Sequence, residues 1–68
     1  MNYERIYKEI QESMFETLKN QYELYQKGFI TESEWEQRRE MGYIMFIDAF
    51  GYERDEIAES FAHYMENQ

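Results

Sequence analysis

The chain has 68 residues, 15 acidic against 7 basic, a formal net charge of −8, and neither cysteine nor proline. Such a length holds one small domain. The charge excludes the basic footprint that direct binding to DNA, RNA or an anionic membrane requires, and the missing cysteine excludes a disulfide framework, a thiol nucleophile and cysteine-ligated zinc.

Aromatic residues reach 19% beside 32% charged ones. A disordered acidic tail is poor in aromatics, so this chain is expected to fold. A core this small yields only a few kcal/mol. With no staple in the sequence, oligomerisation or good helix packing must supply the rest. The longest apolar run spans residues 43–47, far short of the ~18 residues of a spanning helix. Met1-Asn2-Tyr3-Glu4-Arg5 is not followed by the apolar region of a signal peptide. A soluble, cytoplasmic protein is expected.

The first segment, about 2–27, carries Tyr3, Tyr7, Ile10, Met14, Leu18, Tyr22 and Tyr25 at steps of three or four. That is an amphipathic helix stripe, widened by Ile6, Phe15 and Leu24. Glu4–Lys8, Arg5–Glu9, Lys8–Glu12, Lys19–Glu23 and Glu23–Lys27 are spaced for ion pairs along the exposed face. Gly28 fits the left-handed position past a helix end. Thr31 and Glu34 then form a capping box, with Ile30 as a hydrophobic staple. The loop is so short that segments one and two are expected to form an antiparallel hairpin.

The second segment, about 32–50, begins amphipathic around Trp35. From Met41 onward it is apolar on nearly every side: Met41, Tyr43, Ile44, Met45, Phe46, Ile47, Ala49 and Phe50, with Asp48 alone intervening. A helix apolar all round must be covered on several sides. Met and aromatic residues suit either a core or an interface. Trp35, Met41, Tyr43, Met45 and Phe46 are therefore the candidate oligomer or partner interface. The alternative is a short buried strand at 43–47, which would lack a second strand to pair with. Gly51 marks the next stop. The third segment, about 55–67, places Ile57, Ala58, Phe61, Ala62 and Met65 on one stripe, with Asp55 as expected N-cap.

Charge is lopsided. Residues 28–68 hold ten carboxylates against three arginines. Two clusters stand out, Glu32/Glu34/Glu36 and Glu53/Asp55/Glu56/Glu59. Acidic residues suit helix starts because the macrodipole favours them. Carboxylates on a rigid helix can also imitate a row of phosphates and compete for a basic, nucleic-acid-binding groove, with salt-sensitive association. These seven residues are the candidate partner-binding face.

Residues 18–39 carry a leucine-bearing helix (Leu18, Leu24), the Gly28 turn, the cap Ile30-Thr31-Glu32-Ser33-Glu34-Trp35 and the basic pair Arg38-Arg39. This stretch, about a third of the chain, resembles the short C-terminal domain called SHOCT. Trp35 stands where that family has Phe or Tyr, and Ser33 interrupts its acidic pair. The resemblance implies an interaction or oligomerisation role, no catalysis and no particular functional residue.

Ile57-Ala58-Glu59 looks superficially like the start of a helix-turn-helix, but the local acidity repels DNA. Glu59 and His63 are spaced to share a metal, yet two ligands do not make a site. No phosphate loop or nucleophile elbow occurs, and a pocket is hard to build at this size. No enzyme activity, metal or cofactor is expected. The reading is an all-α domain: a long antiparallel helical hairpin plus a short third helix, homodimeric through segment two. The expected function is a non-enzymatic protein-binding module. It would be an inhibitor of the phage or mobile-element kind that blocks a basic nucleic-acid-binding surface of a host protein. The alternative is a structural or adaptor protein acting through helix-mediated oligomerisation.

Overall fold

A computed structural model describes the backbone of residues 3–67 and the side chains of residues 5–67. Asn2, the expected start of the first helix, and the side chains of Tyr3 and Glu4 lie outside the described residues. Three helices follow one another: α1 (Tyr3–Gln26), α2 (Glu32–Phe50) and α3 (Arg54–Glu66). The described residues are all-helical, with no strand. The apolar run 43–47 stays within α2 because α1 and α3 both bury side chains against it, while nothing offers it a ladder partner.

Local chemistry sets most helix ends. Past α1, Gly28 takes φ 82°. Its N–H donates to Tyr25 O (3.0 Å), and Phe29 N–H donates to Leu24 O (2.9 Å). This is a Schellman closure, which satisfies carbonyls the helix would leave bare. At the start of α2, Glu34 N–H donates to Thr31 Oγ1 and Thr31 N–H donates to Glu34 Oε1, each at 3.1 Å. The expected capping box is present, and such a cap is worth about 1 kcal/mol. The backbone bond from Thr31 holds the Glu34 carboxyl below its ordinary range. Gly51 closes α2 at φ 73°, its N–H donating to Ile47 O.

The start of α3 differs from expectation. Glu53, not Asp55, is the N-cap, and its side chain makes no capping bond. Ile57 must enter the core, where it is 2% exposed. Its N–H donates to Glu53 O (3.2 Å), which starts the helix ahead of Asp55. Asp55 sits inside the first turn, where its charge still meets the favourable end of the macrodipole.

The core gathers Phe15 and Leu18 from α1, Trp35, Tyr43 and Phe46 from α2, and Ile57 and Phe61 from α3. Between α1 and α2, Tyr7 meets Phe50 (5.8 Å between centroids), Phe15 stacks on Phe46 (4.7 Å) and Tyr22 meets Trp35 (5.2 Å). Helix α3 returns along the pair, bringing Phe61 to Phe15 (5.8 Å) and Trp35 (6.5 Å). Gly42 of α2 faces Leu18 of α1. A Cβ there would fall 2.7 Å from Leu18 Cδ2. The absent side chain is what lets Leu18 seat against α2.

Candidate docking surface

Trp35, Tyr43, Phe46 and half-buried Phe50 follow at steps of eight, three and four, which keeps them on one side of α2 and turns them inward. Of the five candidate interface residues, Trp35, Tyr43 and Phe46 are therefore buried within the chain's own core. Met41 and Met45 are not. They are 65% and 61% exposed, and Ile44 is 55% exposed. α1 and α3 cover only part of the apolar circumference of α2.

The two methionines border a groove of about 270 Å³ between α1 and α2, lined by Met14, Thr17, Leu18, Gln21, Arg38, Met41, Gly42, Met45 and Phe46. Gly42 and buried Leu18 make its floor, so the close approach of the helices also shapes the recess. No α3 residue lines it, and Arg38 is its only charged lining residue. On the α1 side, Ile10, Met14, Thr17 and Gln21 follow at steps of four, three and four, all uncharged and none fully buried. Arg38 Nη1 donates to Gln21 Oε1 across the groove. A charge-poor, methionine-bearing strip on a chain of net charge −8 has the composition of an interface centre.

The acidic residues lie elsewhere, in two places. Glu32, Glu34 and Glu36 are exposed at the start of α2; Glu53, the N-cap of α3, and Asp55, Glu56 and Glu59 on α3 are exposed too. Fourteen residues of α2 after Glu36, and the turn that follows, separate them along the chain. On α3, Asp55, Glu59 and Glu66 recur at steps of four and seven, opposite the buried Ile57 and Phe61, and make one outward row.

Beside Arg38–Gln21, two further contacts between helices escaped the sequence reading. Glu40 accepts from Arg54 Nε (2.9 Å) and from Arg54 Nη2, joining α2 to the start of α3. The Arg54 guanidinium lowers the Glu40 carboxyl and is itself raised in return. It also lies over the Tyr43 ring at 5.4 Å, while burial pushes the Tyr43 hydroxyl up. Fourteen residues separate Glu40 from Arg54, so helix spacing could not reveal the pair. The second contact joins α1 to α3: Tyr64 O–H donates to Glu16 Oε2 at 2.5 Å. Bonding to that carboxylate pushes the Tyr64 hydroxyl up to about 12.

A raised folded-state pKa stabilises the fold fully below the ordinary tyrosine value near 10 and loses that contribution as pH rises through the folded value. Wild-type stability is thus expected to fall between about pH 10 and 12. Tyr64→Phe should be less stable at neutral pH and show a shallower decline over that window, measured by urea melts at each pH. Parallel pH profiles for the two proteins would contradict this bond.

His63 holds no visible cluster of ligands. Asn67 Nδ2 donates to His63 O (2.8 Å) and lies 3.4 Å from its Nε2, so Asn67 closes the end of α3. No group of three or more candidate metal ligands occurs among the described residues, and no described helix is long and apolar enough to cross a membrane. No family model, curated protein or solved structure matches this chain.

Proposed function

We propose that this chain is a small non-enzymatic protein-binding module that works through the open side of an antiparallel α1/α2 hairpin, in the cytoplasm, without touching nucleic acid or membrane directly. The observation that carries this reading is segregation. Exposed Met41 and Met45 border a groove that no acidic residue lines, while the outward row of α3 is acidic. Apolar surface of this kind stabilises contact when covered and costs free energy when left in water. The adaptor role, assembly through helix faces, therefore comes first.

A second reading rests on the row Asp55, Glu59 and Glu66. It is a rigid line of carboxylates that suits the basic, nucleic-acid-binding surface of a host protein, as an inhibitor of the phage or mobile-element kind would use. This contact would use the α3 row and not all seven candidate residues.

Capture from cell lysate on the immobilised chain, at low and high salt, tests both readings. Met41→Glu/Met45→Glu is expected to lose the bound protein, with little effect of salt on the wild type. Undiminished capture by that variant overturns the first reading. Loss confined to Asp55→Lys/Glu59→Lys, together with release by salt, establishes the second.

A further inference from the structure

We infer that the occupant of the α1/α2 groove is a second copy of this chain, docked about a two-fold axis so that the two α2 helices run antiparallel, with Arg38 opposite the partner's Asp48 and Met41 opposite the partner's Met45. This rests on the reading of that groove as a protein-docking site and names what fills it. Arg38, Met41, Met45 and Asp48 follow at steps of three, four and three, the spacing of one seam along a helix. All four are exposed.

The spacing is palindromic and the charge reverses sign across it: cation, methionine, methionine, anion. A two-fold antiparallel pairing maps this seam onto itself, as an isologous interface requires. Each end then meets the opposite charge and the centre meets methionine. A parallel pairing would set Arg38 against Arg38 and Asp48 against Asp48, which costs free energy.

Charge and area support the same occupant. Two chains of net charge −8 repel, so self-association needs a face free of net charge. The seam supplies one, and Ile10 and Met14 extend it over α1 without adding any charge. A specific interface takes about 800 Å² from each partner, roughly a sixth of the 5222 Å² this chain exposes. Two neighbouring helices, about 20 Å across and about 28 Å along α2, offer a footprint of that order.

Sedimentation equilibrium of the full chain over a micromolar concentration series, with far-UV circular dichroism to verify helicity, tests this. The wild type is expected to dimerise and Met45→Glu to be monomeric. Arg38→Asp and Asp48→Arg should each raise the dimer dissociation constant about tenfold or more, because each reversal sets two like-charge pairs in the dimer. The double swap Arg38→Asp/Asp48→Arg should recover most of that loss. A wild type that stays monomeric throughout, or a double swap no better than the single reversals, overturns the inference. A monomeric wild type that still loses lysate capture through Met41→Glu/Met45→Glu leaves the docking reading standing and removes only the second copy as occupant.

Discussion

Phe46→Ala is expected to leave the chain largely unfolded at 25 °C. Phe46 is 1% exposed. Its ring stacks on Phe15 at 4.7 Å and meets Phe50 at 5.9 Å, so it ties the middle of α1 to the second half of α2. Truncating a buried phenylalanine costs about 3–5 kcal/mol, part lost transfer energy and part cavity. The single core of a domain this short supplies only about 3–5 kcal/mol of net stability. The loss therefore consumes most or all of it. Met45→Ala, one residue away but exposed, should change dilute-solution stability by no more than about 0.5 kcal/mol. Urea titration followed by far-UV circular dichroism measures both. A loss below about 1 kcal/mol at Phe46 would mean that the core is not organised around this stack.

Gly42→Leu should cost about 2 kcal/mol, even though leucine is the better helix former by nearly 1 kcal/mol. The reason is the crossing with α1. An added Cβ meets Leu18 Cδ2 at 2.7 Å, Cγ at 3.2 Å and Cδ1 at 3.3 Å, so a whole branched side chain, and not one flexible tip, stands in the way. Overpacking of this kind forces the helices apart or drives side chains off their rotamers. Moving the bulk across the crossing should relieve it. Leu18→Ala/Gly42→Leu is expected to be more stable than the sum of the two single losses by more than about 1 kcal/mol, the mark of residues in direct contact. Additive losses in urea titration would contradict the crossing.

Features written in a few neighbouring residues were legible in the sequence. Thr31 and Glu34 satisfy one another within a single turn, and Gly28 and Gly51 adopt the left-handed backbone their places require. Three helices in the expected order follow from these stops and from the apolar spacing. Tertiary choices were not legible. The start of α3 was misplaced because the burial of Ile57, a contact with other helices, decides it.

The second half of α2 offered apolar residues on every side, so spacing alone could not say which would face inward. Aromatic stacking on Phe15 and the approach of Leu18 to Gly42 make that choice. They draw Tyr43 and Phe46 into the core and leave Met41 and Met45 outside. The acidic clusters were legible as composition, but which carboxylates share an outward row on α3 is set by the burial of Ile57 and Phe61. Glu40–Arg54 and Glu16–Tyr64 join residues 14 and 48 apart in the chain. No local pattern points to either.

The turns at Gly28 and Gly51 carry a kinetic consequence. Each helix is handed to the next across a few residues, so neighbouring elements can find one another with little chain to search. Topologies of this kind have low contact order and fold on the microsecond-to-millisecond scale. The transient exposure of their aromatic side chains is correspondingly brief. With no proline in the chain, slow peptide-bond isomerisation does not delay that search. An acidic domain rich in tyrosine and phenylalanine can thus pass through its sticky, half-made states before it meets other newly synthesised chains.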